Sequence, residues 1–287
     1  MNSSTLLRGW LSILIVTCAI VFGSPAGAEV KDHFQPFVFT GPDGTTLPYL
    51  LALPQNLEAG KKYPVVLFFH GAGERGSDNA RQLKNGIAAF ASDANLAAYP
   101  AILIAPQCPL NQQWVDMPWG TPSGTRPAAP SAAMRLALGI LDHVCATEPV
   151  DPDRIYICGL SMGGYATWDC LTRFPERFAA GIPVCGGGDP ATVSVATAAV
   201  SIWAFHSQDD PTVPVGRSHQ MIDAVKAAGG NPHYTEYQGW GHGSWVPAFA
   251  EPELLPWLFA QVRGRPDTFS WQEPTDKVKV VPPKAGP

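Results

Sequence analysis

Residues 154–172 read Arg-Ile-Tyr-Ile-Cys-Gly-Leu-Ser-Met-Gly-Gly-Tyr-Ala-Thr-Trp-Asp-Cys-Leu-Thr. Residues 155–158 are apolar or aromatic, which predicts a short strand buried on both faces. Gly159, Ser161 and Gly163 then fit the pattern G-x-S-x-G, and a helix-compatible run follows from Gly164. A strand that turns abruptly into a helix at a serine strains that serine's backbone. Only small residues two before and two after it leave room for the turn. The turn lifts the hydroxyl above the sheet edge and sets it at a helix N-terminus, where free amides and the helix dipole favour developing negative charge. These residues therefore predict the nucleophile elbow of a serine hydrolase, with Ser161 as the nucleophile.

Working outward, the run at 63–69 is continuously apolar and reads as a central buried strand, with further strands expected at 101–105, 178–185, 200–205 and 233–238. Helical patterns fall at 79–92, 132–145, 217–228 and 252–262. Two strands at 34–40 and 47–53, joined by Gly-Pro-Asp-Gly at 41–44, predict an antiparallel hairpin at a sheet edge. Strands alternating with helices mean a mostly parallel, twisted sheet covered by helices on both faces, the α/β class. The segment 106–130 is long and rich in Pro, Gly and Trp, and a loop of that length in a compact domain is usually functional or disordered. Trp114, Met117 and Trp119 argue for function, because a disordered segment is not expected to carry them.

The first 28 residues carry Arg8, an apolar stretch at 10–22 and Ala26-Gly27-Ala28, the three parts of an export signal with its cleavage site. The apolar stretch is short for a membrane span. The expected organisation is a signal peptide at 1–28, one domain at 29–265 and a loosely attached polar tail at 266–287, with the mature protein periplasmic or extracellular and off the membrane. Nineteen basic and 24 acidic residues give a net charge of −5 without a basic patch, so nucleic acid is not an expected partner. Five cysteines follow the signal, and an odd number rules out full internal pairing. Cys158 and Cys185 lie in apolar strands and are expected to be reduced, whereas Cys108 and Cys145 are placed where a bridge could form. No Cys/His spacing suggests a metal, and no cofactor is expected.

Ligands of open α/β sheets bind beyond the carboxyl ends of the strands. The segments there are the glycine-rich stretch His70-Gly71-Ala72-Gly73, Gln107, Ser161, Asp189, the run 206–214 and the loop after Gln238. Glycines directly after a strand free backbone amides to point at an oxyanion. His242, flanked by glycines, is the natural general base. For the acid, Asp209 and Asp210 compete, with Asp189 behind them. His70 and His206 read as structural residues at strand ends, and Trp168 as core.

Taken together, the stretches at 70–76, 105–109, 159–165 and 206–214, and Gly241-His242, resemble the α/β-hydrolases. The nearest branch is the exported esterases of the phospholipase/carboxylesterase and predicted-peptidase type, similar to feruloyl and acetyl xylan esterases and dienelactone hydrolases. The resemblance runs from about 63 to 258. It implies the α/β-hydrolase fold and a carboxylic-ester hydrolase with Ser161, Asp210 and His242 as triad, and with the amides of Ala72 and Met162 as oxyanion hole. One departure is that Ser207 stands where the pattern usually has glycine.

Trp114, Trp119, Trp240 and Trp245 are candidates for the walls of an acyl or sugar pocket, with packing as the competing reading of each. Such walls would suit short-chain or aromatic esters, small or linked to polysaccharide. Two other functions compete. One is a serine peptidase of the prolyl-oligopeptidase type, although no second domain is seen to position a peptide. The other is a non-catalytic binding protein on a hydrolase scaffold, for which a strained serine would serve no purpose.

Overall fold

The computed structural model describes residues 29–271 and 278–279, so the expected export signal lies outside the described residues. The hairpin forms as β1 (Gln35–Thr40) and β2 (Thr46–Ala52), paired antiparallel. The remaining strands are β3 (Tyr63–Phe69), β4 (Ile102–Pro106), β5 (Val150–Leu160), β6 (Ala180–Val184), β7 (Ser201–Ser207), β8 (His233–Tyr237) and β9 (Val278–Lys279). They make one sheet in the order β1-β2-β4-β3-β5-β6-β7-β8-β9. β2 meets β4 antiparallel, and every pairing from β4 through β3 to β9 is parallel.

The unbroken apolar run of β3 has a direct cause. Val65, Leu67 and Phe69 enter one core, while Val66 and Phe68 enter a second core on the other side of the sheet. A strand covered on both faces has no position left for a polar side chain. The first core is closed by α3 (Ala132–Thr147), α4 (Met162–Arg173) and α6 (Gly216–Ala227), with the short α5 (Val195–Ala198) packed at its margin. The second is closed by α1 (Ala88–Ala91), α2 (Asp93–Ala98), α7 (Trp245–Ala248) and α8 (Leu254–Ala260). Trp168 lies in the first core, fully buried. Among the described residues, no helix is long and apolar enough to cross a membrane.

One expected helix is replaced, the described start of the tail is seen in contact with the domain, and the state of Cys108 and Cys145, which the sequence leaves open, is given. The helix expected at 79–92 is a 3-10 turn at Arg81–Leu83 followed by α1, and a new helix, α2, starts behind the Ser92 cap. Gly86 breaks the run at φ 79°, and a Cβ there would also lie 2.5 Å from the Phe249 ring. The tail is docked as far as Trp271. Asp267 accepts from Trp257 Nε1 (2.8 Å) and pairs with His233, and the Trp271 ring stands on those of Trp203 and His233. Cys108 and Cys145 are unpaired, as are the other cysteines among the described residues. Burial pushes the Cys108 thiol up to about 12.

Candidate active site

β5 delivers Ser161 at φ 55°, ψ −118°, a region that L-residues rarely occupy. Crowding explains the glycines around it. A Cβ at Gly159 would lie 2.3 Å from the Gly163 carbonyl oxygen, and one at Gly163 would lie 2.0 Å from that of Phe69. β5, β3 and the first turn of α4 can approach this closely only without side chains. The Ser161 amide is spent on the Val184 carbonyl (2.9 Å), which ties the elbow to β6.

His242 comes from the 3-10 turn Gly241–Gly243 after β8, and its Nε2 lies 2.8 Å from Ser161 Oγ. Its Nδ1 lies 2.7 Å from Asp210 Oδ2. A carboxylate only accepts, so the proton sits on Nδ1 and the Nε2 lone pair faces the serine hydroxyl. Asp210 follows β7 with its side chain fully buried. Burial alone would raise its pKa, but donation from His206 and His242 and from the Val213 and Thr212 amides outweighs burial and holds the carboxyl well below the usual range.

The geometry separates the two competing aspartates. Asp209 does not reach the imidazole. Its Oδ1 accepts from the Gly239 amide (3.0 Å) and its Oδ2 from the Gly241 amide (3.3 Å). Ser207 Oγ donates to Asp209 Oδ1 (2.6 Å) and accepts from the Trp240 amide (3.3 Å). Three successive amides of the loop that carries His242 are thus held by Ser207 and Asp209. The sequence reading missed this clamp, and its one signal was the serine at a position where glycine is usual. Asp189 lies apart, capping the 3-10 turn Pro190–Thr192 and accepting from the Arg126 amide (3.2 Å).

Ala72 begins the 3-10 turn directly after β3, and this loop abuts the elbow: a Cβ on Gly71 would sit 3.6 Å from that of Ser161. Met162 is the first residue of α4, whose first-turn amides have no partner within the helix. His70 braces the loop. Its Nε2 accepts from the Cys108 amide (2.9 Å), so the proton sits on Nδ1, which donates to Gly71 O (2.6 Å).

Burial holds the His70 pKa down to about 4. The unfolded chain takes up this proton near its ordinary value of about 6.5, and the folded chain only near 4. Stability is therefore present above pH 6.5 and is lost as pH falls toward 4, by about 3 kcal/mol at most from this group. Urea midpoints at pH 7 and pH 4.5 are expected to differ accordingly, and His70→Asn is expected to shrink the difference. An equal acid loss in the variant would put the effect elsewhere.

Of the four tryptophans, Trp114 is corrected. It is fully buried, its Nε1 donates to His70 O (3.1 Å), and its ring packs edge-on against Phe69 and His70. Trp114 thus ties the 106–130 segment to the start of the glycine-rich loop at His70. Trp119 is partly exposed. Its carbonyl accepts from Tyr165 OH of α4 (3.1 Å) and its ring lies under the Arg75 guanidinium at 5.9 Å, so it bridges α4 and the loop after β3. Trp245 stands edge-on to His242 with centroids 5.5 Å apart, and Trp240 is partly buried in the same loop. A cleft of about 930 Å³ opens elsewhere, between the hairpin and α3, and none of these residues lines it.

Residues 57–251 match the phospholipase/carboxylesterase family. Carboxylesterase SOBER1 of Arabidopsis thaliana is 26% identical over 229 residues, covering 71% of this chain and 92% of that protein. A thermostable esterase of solved structure superposes with a TM-score of 0.76 at 39% identity, covering 82% of this chain and 64% of its own. A ferulic acid esterase shares the fold, with a TM-score of 0.59 at 18% identity over 79% of this chain and 97% of its own. The chain belongs to the phospholipase/carboxylesterase family, esterase-type enzymes of the α/β-hydrolase fold.

Proposed function

We propose that the protein cleaves carboxylic esters through an acyl-enzyme on Ser161. The observation that carries this is the unbroken run from Ser161 Oγ to His242 Nε2 (2.8 Å) and from His242 Nδ1 to Asp210 Oδ2 (2.7 Å) at a strained elbow. Ser161 Oγ attacks the ester carbonyl carbon as its proton passes to His242 Nε2. The Ala72 and Met162 amides receive the carbonyl oxygen as it becomes negative. His242 then gives the proton to the departing alkoxide. Water attacks the acyl-enzyme, leaves a proton on His242 and releases the acid, and Ser161 regains its hydrogen. Asp210 fixes the imidazole tautomer and stabilises the imidazolium formed in each half. Because its carboxyl is held far below the usual range, Asp210 stays ionised wherever His242 can still act as a base.

The substrates proposed are short-chain or aromatic acyl esters, free or carried on carbohydrate, met by the exported enzyme outside the cytoplasm. The support is that Trp119 is tied through its carbonyl to Tyr165 of the elbow helix and that the Trp245 ring stands beside His242. Flat rings suit aromatic acyl groups and sugar faces. The test is a panel of p-nitrophenyl acetate, butyrate and palmitate, methyl ferulate and a peptide anilide. Cleavage of the anilide alone would replace the reading with a peptidase, and a preference for palmitate would overturn the substrate class. Within the panel, Trp119→Ala is expected to raise KM several-fold with a smaller change in kcat. Trp114→Ala is expected instead to lower stability by about 3–5 kcal/mol, the usual loss for a buried large aromatic. Chemical denaturation together with steady-state kinetics separates the two effects.

A further inference from the structure

Asp210 Oδ2 accepts from two histidines. His242 Nδ1 lies at 2.7 Å and His206 Nε2 at 3.2 Å, both directed at the same oxygen. The side chains of His206 and Asp210 are both fully buried. His206 Nε2 also faces the Val213 carbonyl at 3.0 Å, so both groups before it are acceptors and this nitrogen must carry a proton. Its Nδ1 lies 2.8 Å from Ser218 Oγ on α6, and that hydroxyl is 3.0 Å from the Gly186 carbonyl. A polar line therefore runs from α6 through His206 to the carboxylate that serves His242. This is more than bracing a strand end, the role that sequence reading gave to His206.

We propose that His206 is a positioning residue which, by donating to the oxygen that His242 also uses, limits how strongly Asp210 stabilises the His242 imidazolium. The proposal rests on Ser161, His242 and Asp210 acting as the triad. A second donor draws negative charge away from Oδ2 and holds that oxygen in place between the two rings. Without it the carboxylate holds a proton on His242 more firmly, so the base is lost at higher pH. Two other ionisable groups bear on this carboxylate, Cys185 after β6 and Tyr165 on α4, and burial raises both toward their neutral forms. Arg217 of α6 lies against Tyr165, its Nε 3.3 Å from the hydroxyl. Cys185 Sγ also lies within 4.8 Å of the facing atoms of Asp210 and His242. None of these changes charge in the weakly acidic range where the acid limb of the rate falls.

The test uses replacements that place an amide at one ring position or the other. The glutamine side-chain nitrogen reaches about as far as Nε2, and the asparagine nitrogen about as far as Nδ1. The acid limb of kcat/KM for p-nitrophenyl acetate is measured between pH 4.5 and 8.5. His206→Asn keeps a partner for Ser218 but cannot reach Asp210, and its limb is expected to move up by roughly half to one pH unit. His206→Gln restores the donor, and its limb is expected to return to that of the parent. His206→Leu, of similar bulk and without a donor, repeats the asparagine result should the smaller side chain not fold. Burst titration counts competent sites, so the profiles refer to folded enzyme. A limb that stays in place in both Asn and Leu variants while the rate falls at every pH would reduce His206 to a packing residue. A Gln limb displaced as far as that of Asn would equally overturn the proposal. Ester turnover surviving Ser161→Ala would instead remove the triad reading itself.

Discussion

Ser161→Ala is expected to fold as the parent does and to lose ester turnover by about four to six orders of magnitude. The fold should survive because the strain at φ 55° lies in the backbone, and the amide bond to Val184 does not involve the hydroxyl. The activity should not, because the oxygen that forms the acyl bond is gone, and His242 and Asp210 have no other attacking group to serve. What remains is the rate given by the oxyanion amides and by binding, about a thousand-fold over water in well-studied triads. Matched unfolding curves with residual turnover at that floor is the predicted result. Near-parental turnover would show that the chemistry runs through another residue.

Asp210→Asn is expected to cost roughly ten-thousand-fold in turnover. Asparagine can accept from Nδ1 with its oxygen, but its amide can also donate to that nitrogen and hold the wrong tautomer, with the proton on Nε2 and no lone pair toward Ser161. It also withdraws the negative charge that steadies the imidazolium. Asp209→Asn changes something else. It keeps the Oδ1 acceptor for the Gly239 amide and gives up Oδ2, which faces the Gly241 amide at 3.3 Å. A loss of about ten-fold or less follows from a loosened loop. Single-turnover rates for the two variants give the comparison. If Asp209→Asn were the slower enzyme, the acid would be the neighbouring residue.

Much of this architecture can be read from the chain because both faces of its strands are buried. Residues 63–69 have no polar position, and that pattern marks β3 at both of its ends. The elbow is legible for a steric reason, since backbone atoms within 2.0–2.3 Å of a would-be Cβ leave glycine as the only choice. The periodicity at 79–92 misleads because Leu83, Ile87, Phe90 and Ala91 have helical spacing and do face the core, while Gly86 at φ 79° divides them into separate turns. Trp114 and Trp119 look alike in a Pro/Gly-rich loop. Only the path of the folded loop puts one under His70 and the other beside Arg75. Adjacent aspartates cannot be ranked by composition, since both follow the same strand and the turn decides which one faces the imidazole. His206 is only half legible: Asp210 and Val213 lie four and seven residues along the chain, but its third partner, Ser218, enters from the next helix.

The docked C-terminal segment sets the practical boundary for anyone trimming the gene. Stopping at residue 265 would remove Asp267 from His233 and Trp257, lift Trp271 off Trp203, and leave β8 without β9 along its outer side. A bare parallel edge beside a newly wetted indole is a surface on which neighbouring molecules stick together. A shortened version that precipitates would thus be reporting a lost seam at the far side of the sheet, some strands away from Ser161, and not an intolerance of the reaction centre.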